Sequence, residues 1–195
     1  STVQIDENNF EAIVSSISRN IDFIRSVQFA PEGKISFITN SASNSEIIGL
    51  DLLTDPNNSP YALLSLQRKT TVLQGPIDLI QGGRGLIVRT PIFDFDNNFL
   101  GFVSVVLDIE EMVSNILGDL ATDDYSVNIF LTDAVSLSVV KIYGEEITPN
   151  ENEFKEELII YDSIFLVSVH PLSIPVFTPL YSLFSFLFAF LYFIY

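Results

Sequence analysis

The chain has 195 residues, 48% of them hydrophobic, and its 25 acidic and 9 basic residues give a formal net charge of −16. The hydrophobic content is typical of a chain that buries a core, and it excludes intrinsic disorder. Because phosphate backbones and anionic surfaces would repel so acidic a molecule, no nucleic-acid partner is expected. The absence of cysteine excludes thiol catalysis, thiolate metal sites and disulfide bonds.

The N-terminal part of the chain, residues 1–25, predicts an amphipathic helix that we interpret as a stalk. Its apolar residues recur at intervals of four, three, four and three, which is the spacing of a heptad seam: Phe10, Val14, Ile17, Ile21 and Ile24. Such a seam fits either a parallel stalk that forms a homodimer or a helix that packs on its own sheet. The sequence begins without an initiator methionine or a signal peptide, which predicts that it starts inside a longer protein.

Short strands and two helices are predicted next. Residues 26–30 and 34–39 are strand candidates on either side of a Pro-Glu-Gly turn. Pro60 is tolerated in a first helical turn and predicts a helix over residues 61–69. The other helix is predicted over residues 109–117, where the following glycine ends it.

The centre of the chain predicts a sheet. Three runs rich in β-branched and aromatic residues follow one another with short connectors, at residues 72–79, 85–93 and 99–107. Four further strand candidates extend this sheet or build a smaller one, at residues 125–132, 137–143, 154–161 and 164–169. The single histidine, His170, follows the last of them and is interpreted as a polar residue at a strand end, not as a catalytic base.

Two connectors carry patterns that are similar to binding loops. The glycine-rich segment 81–85 lacks the Lys-Ser/Thr of a phosphate-binding loop and does not lead into a helix. Asp94, Asp96 and Asn98 have the first spacings of a calcium loop, but the glycine and glutamate required further along are missing. We therefore predict turns at both places and expect no metal or cofactor.

The end of the chain is uncharged. Residues 171–195 contain no Asp, Glu, Lys or Arg, and the segment 172–195 predicts a transmembrane helix that makes the membrane a partner. A helix buried in a large core is the alternative. In the first interpretation, the residues before Pro171 lie outside the cytoplasm, in a periplasmic or extracellular space.

Five ordered blocks resemble a CHASE domain, the extracytoplasmic sensory module found ahead of histidine kinases and nucleotide cyclases. The blocks are IRSVQFAPEGKI at 24–35, GLDLLTDP at 49–56, GPIDLIQGGRG at 75–85, RTPIF at 89–93 and GFVSVVLDIEEM at 101–112. Together they cover most of the chain before residue 117, so the resemblance is more specific than a single motif.

The resemblance implies an α+β fold with a long N-terminal helix, PAS-like lobes built on antiparallel sheets, and a C-terminal transmembrane helix. The corresponding domains are a stalk helix at 1–25, a membrane-distal lobe at 26–118, a membrane-proximal lobe at 119–170 and the transmembrane helix at 172–195. The implied function is to bind a small molecule outside the cytoplasm and to signal through a homodimer to an intracellular kinase or cyclase. No catalysis is expected from this chain itself.

The predicted ligand-binding residues are Asp51, Leu73, Gly83, Arg89 and Phe102. Asp51 and Leu73 match positions at which plant cytokinin-binding members of the family contact their ligand, although the glycine-rich connector differs and a cytokinin is not implied. Arg89 interrupts an apolar strand, and its guanidinium suits either a ligand carboxylate or a structural pair with Asp51 or Asp108. Gly83 would allow the connector to close over a ligand, although a plain turn also explains it.

Two other functions fit parts of the sequence. A membrane-anchored structural or adhesion domain would need no small ligand. An acid-dependent hydrolase would use Asp51 with Asp94 or Asp108, but no spacing among these acids brings a pair together. A sensor domain is therefore the preferred interpretation.

Overall fold

The computed structural model describes residues 7–18, 21–39, 45–79, 82–118, 125–144, 153–161 and 163–172. The α-helices in these ranges are α1 (Glu7–Ser18), α2 (Ser59–Arg68) and α3 (Ile109–Leu117). The strands are β1 (Ile24–Pro31), β2 (Phe37–Ile38), β3 (Val72–Asp78), β4 (Arg84–Phe93), β5 (Phe99–Asp108), β6 (Tyr125–Thr132), β7 (Val139–Tyr143), β8 (Phe154–Ile160) and β9 (Ser163–Pro171). A 3-10 helix occupies Ser45–Ile47.

The first sheet has five antiparallel strands in the order β2-β1-β5-β4-β3. The turn between β4 and β5 closes on itself, because the Asp94 carboxylate accepts a hydrogen bond from the Asn98 amide at 2.7 Å. The backbones of β1 and β5 approach closely at Gly101, where a Cβ would collide with the carbonyl oxygen of Ala30. Only glycine fits there, and its positive φ of 154° adds to that requirement.

The second sheet has four antiparallel strands in the order β7-β6-β9-β8. Helix α3 connects it to the first sheet. The helix begins directly at the end of β5, because the Asp108 carboxylate accepts a hydrogen bond from the Glu111 amide at 2.8 Å. The same carboxylate pairs with Arg25 of β1 at 2.6 Å, which fixes this helix start against the first sheet.

Helix α3 lies between the two sheets and packs on both. Its buried residues are Ile109, Met112, Val113 and Leu117. They form one hydrophobic cluster with Leu86 and Leu107 of the first sheet and with Val127, Ile129, Val167 and Val169 of the second. The two sheets therefore share a core, and burial of this common apolar surface holds them together.

The expected fold class is wrong in its helices. The described N-terminal helix, α1, has 12 residues, and the chain turns at 22–23 before it enters β1, so the long N-terminal helix is not seen. Heptad spacing could not reveal this, because a short helix on a sheet uses the same apolar periodicity. Residues 173–195 of the expected transmembrane helix lie outside the described part of the chain, and within that part no helix has the length and apolarity to cross a membrane. The domain boundaries stay predictions.

Helix α1 packs against its own sheet. Phe10 and Val14 are buried against Val27 of β1, and the rings of Phe10 and Phe37 lie 5.7 Å apart. These contacts cover the face of the first sheet opposite to the one that carries Gln28, because neighbouring residues of a strand point to opposite sides. The described part of α1 thus contributes a small separate cluster to the fold.

We expect Phe10→Ala to lower the free energy of unfolding by about 3 kcal/mol, because it removes a buried aromatic side chain and leaves a cavity between helix and sheet. Glu11→Ala, one residue along on the exposed side of the helix, is the matched control and should change that free energy by less than about 0.5 kcal/mol. Urea unfolding followed by circular dichroism measures both. Equal losses for the two variants would show that α1 does not depend on this contact.

Candidate functional site

One face of the first sheet is lined with polar side chains. Strand register places one row of residues across four strands, Ser26, Val106, Ile87 and Gln74. A second row on the same face consists of Gln28, Ser104 and Arg89. Buried sheet faces are normally apolar, so a buried polar face indicates a site with another purpose.

A cavity of about 1020 Å³ lies over this face. The first row and Gln28 form its floor, and residues from segments 47–52, 55–61, 75–79 and 133–140 form its walls. Pockets for small molecules usually measure about 300–1,000 Å³. The cavity is therefore large enough to hold a small organic molecule.

The floor of the cavity carries polar side chains. Ser26 and Gln28 line it and are only 5% and 6% exposed. Behind them, Ser104 Oγ and Arg89 Nε are buried without a partner in the described part of the chain. Buried polar groups without partners cost free energy, and a ligand with complementary groups would recover it.

Arg89 lies fully buried beneath the cavity wall. Its Nη1 donates to Gln74 Oε1 at 3.0 Å, and its Nη2 donates to Asn58 Oδ1 at 2.9 Å. Among the described residues no carboxylate lies within ion-pair distance of it, and its charge is therefore met by neutral amide oxygens. Burial lowers the pKa of Arg89 to about 10, partly opposed by the charge of Asp55. The guanidinium is thus still a cation at neutral pH.

The hydrogen bonds of Arg89 continue into the loop that precedes α2. Asn58 links Arg89 to Asp55, because its Nδ2 donates to Asp55 Oδ2 at 2.8 Å while its Oδ1 accepts from Arg89. Gln74 does the same on the other side, with its Nε2 donating to the carbonyl oxygen of Asn57 at 2.9 Å. Asp55 and Asn57 both line the cavity. The buried cation therefore fixes the conformation of one cavity wall.

The opposite wall comes from the second sheet. Asp133, at the turn between β6 and β7, accepts a hydrogen bond on Oδ2 from the Tyr61 hydroxyl of α2 at 2.6 Å. Burial, followed by this hydrogen bond, raises the pKa of Tyr61 to about 12. Burial acts to raise the pKa of Asp133, but hydrogen bonds from Tyr61 and Ser136 outweigh it and the net pKa is lowered. At neutral pH the pair is a phenol donating to a carboxylate.

Charges around the cavity are mostly negative. Asp55, Asp78 and Asp133 line it, and Arg25 is the one cation among the described lining residues. The Arg25 charge is already paired with Asp108, and that hydrogen bond is the main reason that the pKa of Arg25 is raised. A cationic group in the cavity would therefore meet a favourable potential.

The five residues predicted to bind a ligand do not come together. Asp51 closes a local turn, with Oδ1 accepting from the Leu53 amide at 2.9 Å. Leu73 belongs to the core shared by both sheets, Phe102 packs in a separate buried cluster, and Gly83 lies near Asp108 and Glu110. None of the five lies on the described cavity wall, and Arg89 is linked to that wall through Gln74 and Asn58.

Sequence reasoning missed the polar residues that do line the cavity. Gln28 and Gln74 could have been found, because each is a polar residue that directly follows a buried apolar residue in its strand. Tyr61 and Asp133 carried no such signal. They lie 72 positions apart in the sequence and meet only because the second sheet docks beside α2.

The arrangement of two antiparallel sheets is similar to that of several solved sensor domains. Similar structures include an extracellular ligand-binding receptor from Desulfohalobium retbaense, at TM-score 0.64 and 18% identity over 87% of this chain and 34% of that one. The periplasmic sensory domain of the Campylobacter jejuni chemoreceptor Tlp1 has a TM-score of 0.54 and 13% sequence identity, over 93% of this chain and 81% of that one. The ligand-binding domain of the Pseudomonas aeruginosa amino acid chemoreceptor PctC, in complex with GABA, has a TM-score of 0.52 and 17% sequence identity, over 86% of this chain and 82% of that one.

The family is shown by the sequence. The model of the CHASE domain matches residues 33–140, which is more than half of the chain. The protein therefore belongs to the CHASE domain family, a family of sensor domains that are not themselves catalytic. No curated protein matches the sequence significantly.

We expect Arg89→Gln to lower the free energy of unfolding by about 3 kcal/mol, because it leaves the oxygens of Gln74 and Asn58 buried without donors and releases the loop before α2. Lys34→Gln, which removes a cation at an exposed position, is the control and should cost less than about 0.5 kcal/mol. Urea unfolding measures both variants. An unchanged stability of Arg89→Gln would mean that the guanidinium does not hold the cavity wall.

Proposed function

We propose that this chain is the extracytoplasmic ligand-sensing domain of a membrane signalling receptor, and that its ligand binds in the cavity over the first sheet. The observation that carries the proposal is the cavity floor, where Ser26 and Gln28 present polar side chains and, behind them, Ser104 Oγ and Arg89 Nε are buried without a partner in the described part of the chain. A structural domain would gain stability by replacing these groups with apolar ones, because unpaired buried polar groups are unfavourable. Family membership supports the sensing role.

The charges of the cavity favour a small molecule that carries an amino group. Three carboxylates line the cavity, and the lining cation, Arg25, is neutralised by Asp108. A ligand ammonium would be attracted to Asp55 and Asp78, while the floor amide and hydroxyls would bind its remaining polar groups. A ligand with two carboxylates would be repelled by the three carboxylates that line the cavity. We retain Arg89 as a site residue that acts through Gln74 and Asn58, whereas the placement of Asp51, Leu73, Gly83 and Phe102 gives their proposed contacts no support.

Four probes test this proposal by thermal shift: putrescine, GABA, succinate and adenine. We expect putrescine or GABA to raise the melting temperature by about 5 °C or more, since a hundredfold excess over the dissociation constant contributes about 2.7 kcal/mol. Gln28→Ala should remove the shift, because it deletes a hydrogen-bonding group of the floor. Gln67→Ala, an exposed amide on α2, is the matched control and should keep it.

Each other outcome contradicts a defined part of the proposal. A shift with succinate alone would show that the ligand is anionic, and a shift with adenine alone would show that it needs no amino cation. A shift that survives in Gln28→Ala would place the site elsewhere, and no shift with any of the four probes would contradict binding of a small amine in this cavity.

We further propose that the signal passes through a homodimer to an intracellular kinase or cyclase. Support comes from α1, whose outer side leaves Ile13 53% exposed while Phe10 and Val14 pack on the sheet. An apolar residue at that position suits a helix pair.

We expect Ile13→Asp to convert a dimer to a monomer in sedimentation velocity, because it places a charge in the apolar contact between the two helices. Glu11→Ala is the control and should stay dimeric. A dimer with a dissociation constant above about 100 μM would already be weak for signalling. If the native chain sediments as a monomer at all concentrations up to about 100 μM, the dimer proposal is therefore wrong.

A further inference from the structure

The cavity belongs to both sheets. Although its floor is the first sheet, part of its wall consists of residues of the second sheet around the β6–β7 turn: Asp133, Val135, Ser136, Ser138 and Val140. A molecule that filled the cavity would therefore contact both halves of the protein.

Two hydrogen bonds tie the β6–β7 hairpin to the first half of the chain, one at each end of the hairpin. At its far end, Arg84 of β4 donates through Nη2 to the carbonyl oxygen of Ile142 at 2.7 Å, and the Ile142 side chain is buried in the shared core. At its near end, the attachment is the Tyr61–Asp133 hydrogen bond at 2.6 Å. Between these points Ser138 and Val140 line the cavity. The far attachment is packed in a core, whereas the near one is a hydrogen bond between two side chains that line the cavity.

The β6–β7 turn is organised by the same carboxylate that Tyr61 contacts. Asp133 Oδ1 accepts hydrogen bonds from the Ser136 amide at 2.6 Å, the Ser136 hydroxyl at 2.8 Å and the Val135 amide at 3.2 Å. Beyond them, Leu137 is 72% exposed, so the outer side of the turn makes little contact. One oxygen of the Asp133 carboxylate thus organises the turn, and the other accepts the hydrogen bond from Tyr61.

We propose that the β6–β7 turn, residues 133–138, is the element through which occupancy of the cavity reaches the second sheet, and that Tyr61 is the positioning residue that couples it to α2. The cavity role of this turn rests on the proposed function, whereas the coupling through Tyr61 is a property of the unliganded protein. A ligand that contacts α2 and the turn together favours the state in which they are tied.

Amide hydrogen exchange of the unliganded chain tests the coupling. We expect Tyr61→Phe to speed exchange of the Ser136 and Leu137 amides about tenfold, the size expected when a hydrogen bond to a charged group is lost and the turn opens locally. Exchange in β5, at residues 103–106, should not change, which shows that the variant stays folded. Tyr143→Phe on β7 is the matched control and should exchange like the native chain. Equal exchange of the turn in Tyr61→Phe and the native chain overturns the proposal.

Putrescine or GABA then tests the response to the cavity. A probe that raises the melting temperature should slow exchange at residues 133–138 in the native chain by about tenfold and have less than half that effect in Tyr61→Phe. A probe that raises the melting temperature without slowing the turn would overturn this inference and leave the proposed function standing. If neither probe shifts the melting temperature, the proposed function fails, while the unliganded comparison still decides the coupling.

Discussion

Burial of the Arg89 guanidinium is the constraint from which the shape of the cavity follows. A cation placed on a buried sheet face must be solvated by the protein, and no carboxylate among the described residues lies close enough to do so. The amide oxygens of Gln74 and Asn58 accept hydrogen bonds from the guanidinium. The amide nitrogens of the same two side chains donate to Asn57 and Asp55 and so hold these residues in place. The loop before α2 is thereby fixed as a cavity wall by a residue that does not itself line the cavity.

The two faces of the first sheet have different tasks. The face that carries Val27, Val103 and Val105 is covered by α1 and packs as an ordinary apolar core. The other face keeps polar groups such as Gln28 under a cavity, although buried polar groups cost stability unless they find a partner. Helix α3 joins this sheet to the second one through a shared core, so the two sheets are not independent units. A pocket bounded by both sheets is therefore well placed to influence how they pack.

Local pattern predicted the strands well. The runs at 72–79, 85–93 and 99–107 correspond to β3, β4 and β5 within one or two residues, because β-branched and aromatic residues between short polar turns leave few other choices. Local rules also placed two helix starts, since α2 begins beside Pro60 and α3 begins directly after its cap at Asp108. The long N-terminal helix was a different case, because apolar spacing is shared by stalk helices and by short helices that pack on sheets.

The sequence by itself determined the family, the antiparallel strands and the absence of thiol chemistry, since these depend on ordered blocks, alternation and composition. Only the tertiary structure decided which residues line the cavity. Asp51 satisfies its carboxylate within its own turn, and Leu73 points into the shared core, although family position suggested both for the ligand. Tyr61 and Asp133 meet from distant parts of the chain. The physical reason is that a cavity is made by the docking of separate elements, and local sequence encodes each element without encoding the space between them.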